Sequence, residues 1–560
     1  MSEFSLITQP WLRARLDARV ELLGLADALA RAGEITEIVV DLPTQFPALL
    51  RHVLLPVVVD ALGAPADRRT WARRFDRGAF TEDELEKIDA YLHKYRERFD
   101  LFHPETPFGQ VADLRTARGE TKGSGVLIAT QATGNNVPLF SSRTEADPPA
   151  LTPGEAALWL VHAHCWDTAA IKTGAVGDPQ VKSGKTTGNP TGPLGQLGVV
   201  LPIGRTLYET LLLNTPIGVQ GRLGAPQWTR HIGPQWETRT AQGLLDLWTW
   251  QSRRIRLIPE QTADGPRVTQ VILAAGDRIA ETPDWEPHTA WKAANPAKRT
   301  AKRTPLRPLR HTPGKAIWRG MNALLAVEAD DTAGLRTSEL LDQISGLMAD
   351  ELIDERYPLR AETFGMVYGN QSAIVEDVLH DLIPLPIAAL RADTEIHSFV
   401  LEATEQAEQL AQAVNRLSAD LRRAVGLDPI PWDKGQRPGE RLLHLLDPVV
   451  RRLLHGLRGV TDPQALDRAR LGWELTARRL ALQVADSVHA AVPESVFAGR
   501  EVRKPDGTKE AAYPLGVAED AFRRRLNLIL PRAAEYRRQN TPPSTGEETH
   551  DQALLEPCRP

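Results

Sequence analysis

The chain has 560 residues, of which 42% are hydrophobic and 25% are charged, and its formal net charge is −5. This composition is that of a globular protein several domains long, and it excludes a globally basic nucleic-acid binder, so any polyanion site must be local. Two cysteines form no disulfide framework, no apolar run approaches the length that spans a bilayer, and the N-terminus lacks a signal-peptide pattern. We therefore expect a cytoplasmic protein without a membrane partner.

The N-terminal part of the chain is predicted to alternate strands and helices. A strand with a turn is expected within Phe4 to Arg15, and helical patterns follow over Val20 to Leu29, Ala48 to Leu62 and Thr81 to Phe99. The second helical pattern is apolar enough to be buried. In the third, Thr81 and Glu84 have the spacing of a capping box, which marks the first turn of a helix.

A buried helix is predicted over Ala156 to Ile171, and it carries His162, His164 and Cys165. Positions i, i+2 and i+3 do not share one face of a helix, and no second cluster supplies further ligands, so this spacing does not indicate a metal site. We interpret these side chains as packed core residues and expect no metal.

A glycine-rich stretch runs from Lys172 to Arg205 and holds eight glycines, four prolines and one acidic residue, Asp178. Its prolines exclude a long helix, and its glycines permit positive φ and close approach of a partner to the backbone. Spaced basic residues, among them Lys182 and Lys185, favour a polyanion as the partner, and a flexible solvated insertion is the alternative.

The tripeptide Gly184-Lys185-Thr186 has the ending of a nucleotide-binding P-loop. That motif needs a glycine where this chain has Pro179, and it needs a helix straight after the threonine, where Gly188 and Pro190 follow. The pattern therefore argues against a P-loop at this position.

Two alternating segments, Arg254 to Ile258 and Val268 to Leu273, are predicted to form a β-hairpin. A basic stretch follows, because Lys292 to Arg319 contains nine Lys or Arg and no Asp or Glu. Its prolines keep it irregular, and uncompensated charge of this density favours contact with a phosphate backbone over a solvated loop. Its central cations are Lys298, Arg299, Lys302 and Arg303.

A second polar feature lies between Thr363 and Asp381. Asn370, Gln371 and Ser372 form a polar tip ahead of a helix that is predicted to start near Ala373. In one interpretation these side chains cap that helix. In the other they contact base edges or enter a duplex as a wedge.

The last third of the sequence changes to long helical patterns. A heptad seam on one helix is formed by Val400, Ala403, Ala407, Leu410, Val414, Leu417 and Leu421. Further helices are predicted over Arg441 to Leu457, Pro463 to Ala491 and Ala518 to Pro531, which together indicate a four-helix bundle. The predicted fold class is α+β, with a large mixed domain with irregular loops over residues 1–390, the bundle over 391–537, and a polar tail, expected to be disordered, over 538–560.

The order and spacing of several segments resemble the CasA family, the large subunits of the type I-E CRISPR surveillance complex Cascade. The matching segments are FSLITQPWLRAR from Phe4, LPTQFPALL from Leu42, GVVLPIGRTLYETLLLN from Gly198 and GMVYGNQSAIVED from Gly365. The helix ahead of the glycine-rich stretch and the C-terminal bundle also fit the family. No single motif is highly specific, whereas their order and spacing are.

The resemblance implies a non-catalytic role without a cofactor. Members of the family recognise the protospacer-adjacent motif (PAM) of double-stranded DNA from the minor groove, start unwinding for R-loop formation, and help to recruit the helicase–nuclease that degrades the target. The resemblance also implies crRNA-bearing subunits as partners. Relaxed PAM preference is expected because the minor groove presents a degenerate pattern, while base pairing with the guide reads the rest of the target.

The resemblance assigns roles to individual residues as well. A wedge that enters the DNA aligns with Asn370, Gln371, Ser372 and Ala373. A glycine loop that contacts the PAM matches Gly177, with Gly184 beside Lys185 as the alternative, and the basic finger is assigned to Arg278. A loop that contacts the crRNA 5′ end or a neighbouring subunit matches Leu139, Phe140 and Ser141.

The residues are also compatible with two other classes of function. An ATP- or metal-dependent nuclease or NTPase would use Gly184-Lys185-Thr186 or the dipeptide His380-Asp381, although the dipeptide lacks the further ligands of an HD nuclease. A scaffold that touches no DNA is the third class, and the acid-free basic stretch argues against it. Turnover of ATP or DNA by the purified protein would distinguish the enzyme from the other two classes.

Overall fold

The computed structural model describes residues 3–131, 147–283, 285–293, 306–326, 334–431, 437–497, 501–503, 509–512 and 515–540. The chain divides into two compact units. The N-terminal unit comprises Met1–Val400 with Leu454–Gly459, and the C-terminal unit comprises Leu401–Leu453 with Val460–Pro560. The first unit mixes helices with small sheets and the second consists mainly of long helices, so the predicted α+β class is confirmed.

The N-terminal unit contains short helices and strands in alternation. Its helices are α1 (Leu25–Ala30), α2 (Gln45–Leu49), α3 (Leu55–Leu62), α4 (Arg68–Arg77), α5 (Glu82–Lys94), α6 (Pro153–Trp166), α7 (Pro193–Leu197), α8 (Leu207–Leu213), α9 (Leu244–Trp248), α10 (Met321–Leu324) and α11 (Glu339–Ala349). Its strands are β1 (Leu12–Leu16), β2 (Arg19–Leu23), β3 (Ile35–Ile38), β4 (Lys122–Gly123), β5 (Lys172–Thr173), β6 (Lys185–Thr186), β7 (Val199–Ile203), β8 (Thr238–Arg239), β9 (Arg253–Thr262), β10 (Gly265–Ala275), β11 (Arg278–Ile279), β12 (Trp291–Ala293), β13 (Leu306–Pro308), β14 (Leu335–Arg336), β15 (Arg360–Tyr368) and β16 (Val375–Pro384).

These strands form several small sheets instead of one large sheet. The strand orders are β2-β1-β3, β4-β10-β5-β6 with β9 added to β10, β11-β8, β13-β12-β14 and β16-β15-β7. The helix predicted over Val20 to Leu29 is wrong in its first half. Asp17 adopts a positive φ of 49° and turns the chain back, so that β2 pairs antiparallel with β1.

The hairpin of β9 and β10 positions the glycine-rich stretch. Both predicted strands are confirmed and are longer than predicted, and Gly265 adopts a positive φ of 96° where the chain turns. Strand β10 also pairs with β5, which in turn pairs with β6. Both short strands of the glycine-rich stretch are therefore attached to this hairpin.

The buried helix predicted over Ala48 to Leu62 is confirmed as a continuous run of α2, a π-helical turn at Leu50–Leu54, and α3. Arg51 in the π-helical turn is buried, and its guanidinium lies 3.1 Å from the buried carboxylate of Glu286. By length and composition the window Gln45–Leu62 would be able to cross a membrane, and 78% of it is buried inside the fold. Such a buried run packs as a core helix.

Long helices follow and make up most of the C-terminal unit. They are α12 (Glu395–Ala424), α13 (Pro438–Gly456), α14 (Pro463–His489), α15 (Leu515–Ile529) and α16 (Pro531–Asn540), and a strand pair is formed by β17 (Glu501–Arg503) and β18 (Lys509–Ala512). Every residue of the predicted heptad seam is at most 1% exposed, so the seam prediction is confirmed.

Polar contacts connect the helices of this unit. The indole N–H of Trp473 on α14 donates to the side chain of Gln406 on α12 at 2.7 Å, and the N–H of Ala533 on α16 donates to the carboxylate of Glu474 at 2.9 Å. Pro531 occupies the first position of α16, where its missing N–H costs no helical hydrogen bond. Residues 538–540, assigned to the polar tail from the sequence, belong to α16.

Candidate nucleic-acid interface

The polar segment around Asn370 forms the tip of a β-hairpin. Strands β15 and β16 pair antiparallel, from Arg360 opposite Pro384 to Tyr368 opposite Val375. A backbone hydrogen bond closes the turn, because the N–H of Gly369 donates to the carbonyl of Ile374 at 3.0 Å. We call residues 369–374 the hairpin tip.

The hairpin contradicts the helix predicted to start near Ala373. Asn370–Ser372 form a single 3-10 turn, and strand β16 begins at Val375. β-Branched residues such as Ile374 and Val375 fit a pleated strand better than a helix. The capping interpretation of Asn370 and Gln371 therefore has no helix to cap.

The backbone of the hairpin tip has an uncommon conformation. Gln371 has φ 52° and ψ 23°, and Ser372 has φ 54°, so two successive residues with side chains occupy the left-handed region. Each such residue costs on the order of 1–3 kcal/mol, and these costs concentrate at functional sites. Asn370 and Gln371 are exposed, so their amide groups are accessible to a partner.

The hairpin tip is bonded to the segment that precedes the glycine-rich stretch. The N–H of Ala169 donates to the carbonyl of Ser372 at 2.7 Å. The hydroxyl of Tyr368 donates to the carbonyl of Trp166 at 2.6 Å, across a separation of 202 residues. The fold thus brings together two features that are far apart in the sequence.

Gly195 provides a test of this contact. A Cβ at this position would lie 2.4 Å from the hydroxyl of Tyr368, so that one of the two groups would have to move. Gly195→Ala is expected to destabilise the N-terminal unit by about 1–3 kcal/mol, the usual effect of overpacking, which thermal melting measures. The matched control is Gly221→Ala, where a Cβ meets nothing within 4 Å. Equal melting temperatures of the two variants would contradict the contact.

The first part of the glycine-rich stretch forms a mostly exposed loop between two short strands, and its second part contains α7 and the buried strand β7. β5 and β6 pair antiparallel, and the loop between them contains Gly177 at φ 88° and Gly184 at φ 72°. Both glycines are exposed. An added Cβ would meet nothing within 4 Å at Gly184, and at Gly177 it would meet only Pro234, at 3.4 Å. The two glycines are therefore needed for the backbone conformation, and they leave space for a partner.

The P-loop alternative has the wrong local structure. Lys185 and Thr186 form strand β6, and the next helix, α7, starts at Pro193. In a P-loop the lysine leads directly into a helix whose first N–H groups hold the phosphates. Lys185 is instead an exposed cation beside Gly184.

Arg278 lies against the glycine-rich stretch. Its guanidinium stacks on Trp236 at 3.9 Å from the ring centre and donates to the carbonyl of Thr187 at 2.8 Å. Burial and the neighbouring charge of Arg253 lower the pKa of Arg278. The structure thus places the predicted basic finger beside the predicted glycine loop, with part of its guanidinium bound by the protein itself.

Trp236 connects Arg278 to the loop that contains Gly177. Its indole N–H donates to the carboxylate of Asp178 at 2.9 Å, and the side-chain amide of Gln180 donates to its carbonyl at 3.0 Å. No sequence pattern indicates this role, since the only signal is a tryptophan in a turn-rich segment. The same is true of Ala169 and Tyr368, whose partners are distant in the sequence.

Lys172 differs from Lys182 and Lys185 because it belongs to an ion-pair cluster inside the fold. Lys172 is buried, and its ammonium lies 2.7 Å from the carboxylate of Asp167, which also pairs with Arg253. Burial lowers the pKa of Lys172 to about 8. Burial alone would raise the pKa of Asp167, but the two cations outweigh it and lower this pKa to about 2. Lys182 and Lys185 are exposed.

The basic stretch lies partly outside the described residues, and the predicted crRNA contact lies wholly outside them. The positions outside are Lys298, Arg299, Lys302 and Arg303, together with Leu139, Phe140 and Ser141. Within the described part, Nε of Arg310 donates to the carbonyl of Gln196 at 3.0 Å. One cation of the basic stretch therefore contacts the glycine-rich stretch.

Helix α6 buries the residues considered for a metal. His162 Nε2 lies 2.9 Å from the hydroxyl of Thr44, His164 Nε2 lies 2.8 Å from the carbonyl oxygen of Gly109, and Cys165 is a buried free thiol. Burial lowers the pKa of His162 to about 3 and the pKa of His164 to about 4, so both rings are neutral. Among the residues that the structure describes, no group of three or more His, Cys, Asp or Glu is arranged to hold a metal ion.

The dipeptide His380-Asp381 lies within strand β16. Nε2 of His380 is 3.3 Å from the carboxylate of Glu362, and the carboxylate of Asp381 accepts a hydrogen bond from the N–H of Ile317 at 2.7 Å. These contacts connect neighbouring segments of the N-terminal unit, which is a structural role.

The matching known proteins cover most of the chain. A family model described as CRISPR-associated protein Cse1 matches residues 5–484. The CRISPR-associated protein CasA/Cse1 of Thermus thermophilus is 30% identical over 435 residues, which cover 76% of this chain and 79% of that protein.

Solved structures are similar over nearly the whole length. Thermobifida fusca Cse1 superposes with a TM-score of 0.80 at 33% identity, covering 95% of this chain and 99% of that one. A chain described as a CRISPR RNA-guided surveillance complex superposes with a TM-score of 0.68 at 22% identity, covering 94% of this chain and 100% of that one, and so shares the fold. Because the family model spans both the candidate interface and most of the long helices, this chain belongs to the family of CRISPR-associated protein Cse1.

Proposed function

We propose that this chain is the subunit of an RNA-guided CRISPR surveillance complex that recognises the PAM of double-stranded target DNA from the minor groove and starts its unwinding. The observation that carries the proposal is the hairpin tip, where Asn370 and Gln371 are exposed and where Gln371 and Ser372 hold the backbone in the left-handed region. The family description, and the fold shared with a chain of a surveillance complex, support membership in such an assembly.

A narrow hairpin tip suits the minor groove. The groove is about 6 Å wide, so a single turn with slim amide side chains enters it where a helix does not. An amide group carries both a donor and an acceptor, and the groove floor presents acceptors at A·T pairs and an added donor at G·C pairs. A tip pressed between base pairs unstacks them at a cost of a few kcal/mol, which the added contacts to the deformed duplex offset.

The glycine-rich stretch supplies a second contact to the same duplex. Because Ala169 is hydrogen-bonded to the hairpin tip, the stretch that follows it starts at a fixed place beside the tip. Gly177 or Gly184 lets the backbone approach the DNA closely, and Lys185 adds a phosphate contact. Arg278 acts as the basic finger from the position that Trp236 and Thr187 give it.

In this function the chain is a non-catalytic subunit of a complex that acts in the cytoplasm. Its neighbours are crRNA-bearing subunits, contacted through Leu139, Phe140 and Ser141, and it helps to recruit the helicase–nuclease. The alternative of a nuclease or NTPase finds no support in the described part of the chain, because Lys185-Thr186 forms a strand and His380-Asp381 bonds to neighbouring segments.

Reconstitution tests the proposal. The complex is assembled with and without this chain and is mixed with duplex DNA that carries the motif or a scrambled motif, and unpaired thymines are detected by permanganate. We expect strand opening only when the chain and the motif are both present. Equal strand opening without the chain would show that the chain does not recognise the motif. Turnover of ATP or DNA by the chain alone would favour the alternative of a nuclease or NTPase.

The basic stretch leads to a prediction about salt. Replacement of Lys298, Arg299, Lys302 and Arg303 by alanine is expected to weaken binding to all DNA sequences alike. It should also make the negative slope of log K against log salt concentration less steep, by up to about 0.9 for each phosphate that the variant no longer neutralises. The measurement is the DNA affinity of the assembled complex at several salt concentrations.

A charge-matched control removes four exposed cations elsewhere in the N-terminal unit, Arg69, Arg73, Lys87 and Lys94. This variant has the same net charge as the first, and we expect it to keep the wild-type slope. An unchanged slope in the first variant would show that the basic stretch lies away from the DNA.

A further inference from the structure

A cavity of about 240 Å³ opens beside the hairpin tip. Four segments of the N-terminal unit line it: residues between Lys122 and Ala129, the end of α6 with the segment as far as Lys172, Leu273 on β10, and Ala373 with Val375. None of the contacts proposed above for DNA or crRNA uses this cavity, apart from Ala373 in its lining.

Several of the lining side chains are apolar, and one of them is exposed. They include Val126, Ile128 and Trp166, together with Ile171, which is 55% exposed. An exposed apolar residue at the edge of a cavity is suited to cover a flat ring. The volume is below the roughly 300–1,000 Å³ of sites for drug-sized molecules, which favours a single ring system over a larger ligand.

The lining also carries positive charge. Among the described residues that line the cavity, Asp167 is the only carboxylate, and it is shared by Lys172 at 2.7 Å and by Arg253. This cluster therefore keeps one uncompensated positive charge. Lys122 lines the same cavity, is exposed, and adds another. Burial disfavours the charged form of Lys172 and lowers its pKa, and an anion bound nearby would relieve that effect.

The geometry points to a binding site for one unpaired nucleotide of a nucleic acid, with its base against the apolar side chains and its phosphate near Lys122 and Lys172. This inference rests on the proposed function, because a tip that separates base pairs leaves a base beside it without a stacking partner. Ala373 belongs both to the hairpin tip and to the cavity lining, so the displaced base has a short path. A base held in the cavity favours the open DNA over reclosure.

Three strands are able to bring such a nucleotide to the cavity. They are the target strand, the displaced strand and the 5′ end of the guide RNA. All three present a base with a phosphate, so the cavity chemistry is the same for each and an experiment has to distinguish them.

Photo-crosslinking in the assembled complex tests the site and its source. A single 4-thiothymidine is placed next to the motif in the target strand or in the displaced strand, or a 4-thiouridine is placed at the 5′ end of the guide RNA. After irradiation, the cross-linked peptide is identified by mass spectrometry. We expect one of these positions to cross-link to residues 122–129 or 166–172, which line the cavity.

Variants of the cavity wall make the test specific. Val126→Trp narrows the cavity, and Ile171→Ser removes apolar cover at an exposed position, where folding is not at risk. Each is expected to reduce the cross-link about tenfold, a decrease of the size that follows when a base is deprived of its stacking partner. Lys122→Gln is expected to weaken the cross-link as well, while the matched control Lys87→Gln on α5 leaves it unchanged.

The same cross-links are measured on DNA that is already opened beside the motif, where the hairpin tip does not have to separate base pairs. Cross-links on opened DNA but not on duplex DNA would support the cavity and count against the proposed unwinding. Strand opening without a cross-link to these segments from any position would overturn the inference and leave the proposed function intact. Cross-links that Val126→Trp and Ile171→Ser both leave at the wild-type level would overturn it as well.

Discussion

Replacement of Leu410 by aspartate is expected to abolish cooperative folding of the C-terminal unit. Leu410 is fully buried on the seam of α12, with Val414 and Leu417. Truncation of a buried leucine already costs about 2–5 kcal/mol, and aspartate adds the cost of an unpaired charge in an apolar core. The sum approaches the ~5–15 kcal/mol by which a whole domain is stable. Circular dichroism and limited proteolysis of the full chain measure the loss.

The control for this prediction lies on the same helix. Gln412 is exposed, so Gln412→Asp introduces the same charge at a solvated position. We expect its free energy of unfolding to stay within about 0.5 kcal/mol of the wild-type value, as is usual for surface substitutions. Normal melting of Leu410→Asp would refute the assignment of the seam to a helical core.

The double variant Asn370→Ala, Gln371→Ala is expected to lose strand opening beside the motif and to keep its stability. Both amides are exposed and precede a strand, so the loss of about 1 kcal/mol that follows removal of a helix cap does not apply. If the hairpin tip supplies the few kcal/mol that unstacking requires, R-loop formation slows on the order of a hundredfold, because about 1.4 kcal/mol is a factor of ten. Thermal melting and the rate of R-loop formation measure the two effects.

An exposed amide outside the hairpin provides the control. Gln242→Ala removes such a group from the N-terminal unit, and we expect it to change neither the melting temperature nor strand opening. A lower melting temperature of the double variant, combined with normal strand opening, would show that Asn370 and Gln371 support the fold instead of acting on DNA.

The features that were predictable from the sequence are those decided by local pattern. The heptad seam of α12 was predictable because burial on a helix repeats every three to four residues. The capping box of α5 was predictable because its two partners are close in sequence, and the hydroxyl of Thr81 does accept from the N–H of Glu84 at 3.2 Å. The hairpin of β9 and β10 followed from alternation, although its strands extend further than the pattern.

The contacts of the candidate interface were not predictable in the same way. The hydrogen bond between Ala169 and Ser372 joins segments that are distant in sequence, and no local pattern of either segment indicates the other. Lys172 has the sequence context of a surface cation, and only the fold shows its burial beside Asp167. The helix predicted near Ala373 failed for a related reason, because pairing with β15 outweighs a polar segment that also suits a helix start.

R-loop formation by complexes that carry the double variant, on duplex DNA and on DNA already opened beside the motif, tests the role of the hairpin tip most directly. We predict a loss on duplex DNA and wild-type behaviour on opened DNA, because only the duplex requires base pairs to be unstacked. Wild-type behaviour on both substrates would contradict the proposal that Asn370 and Gln371 open the duplex.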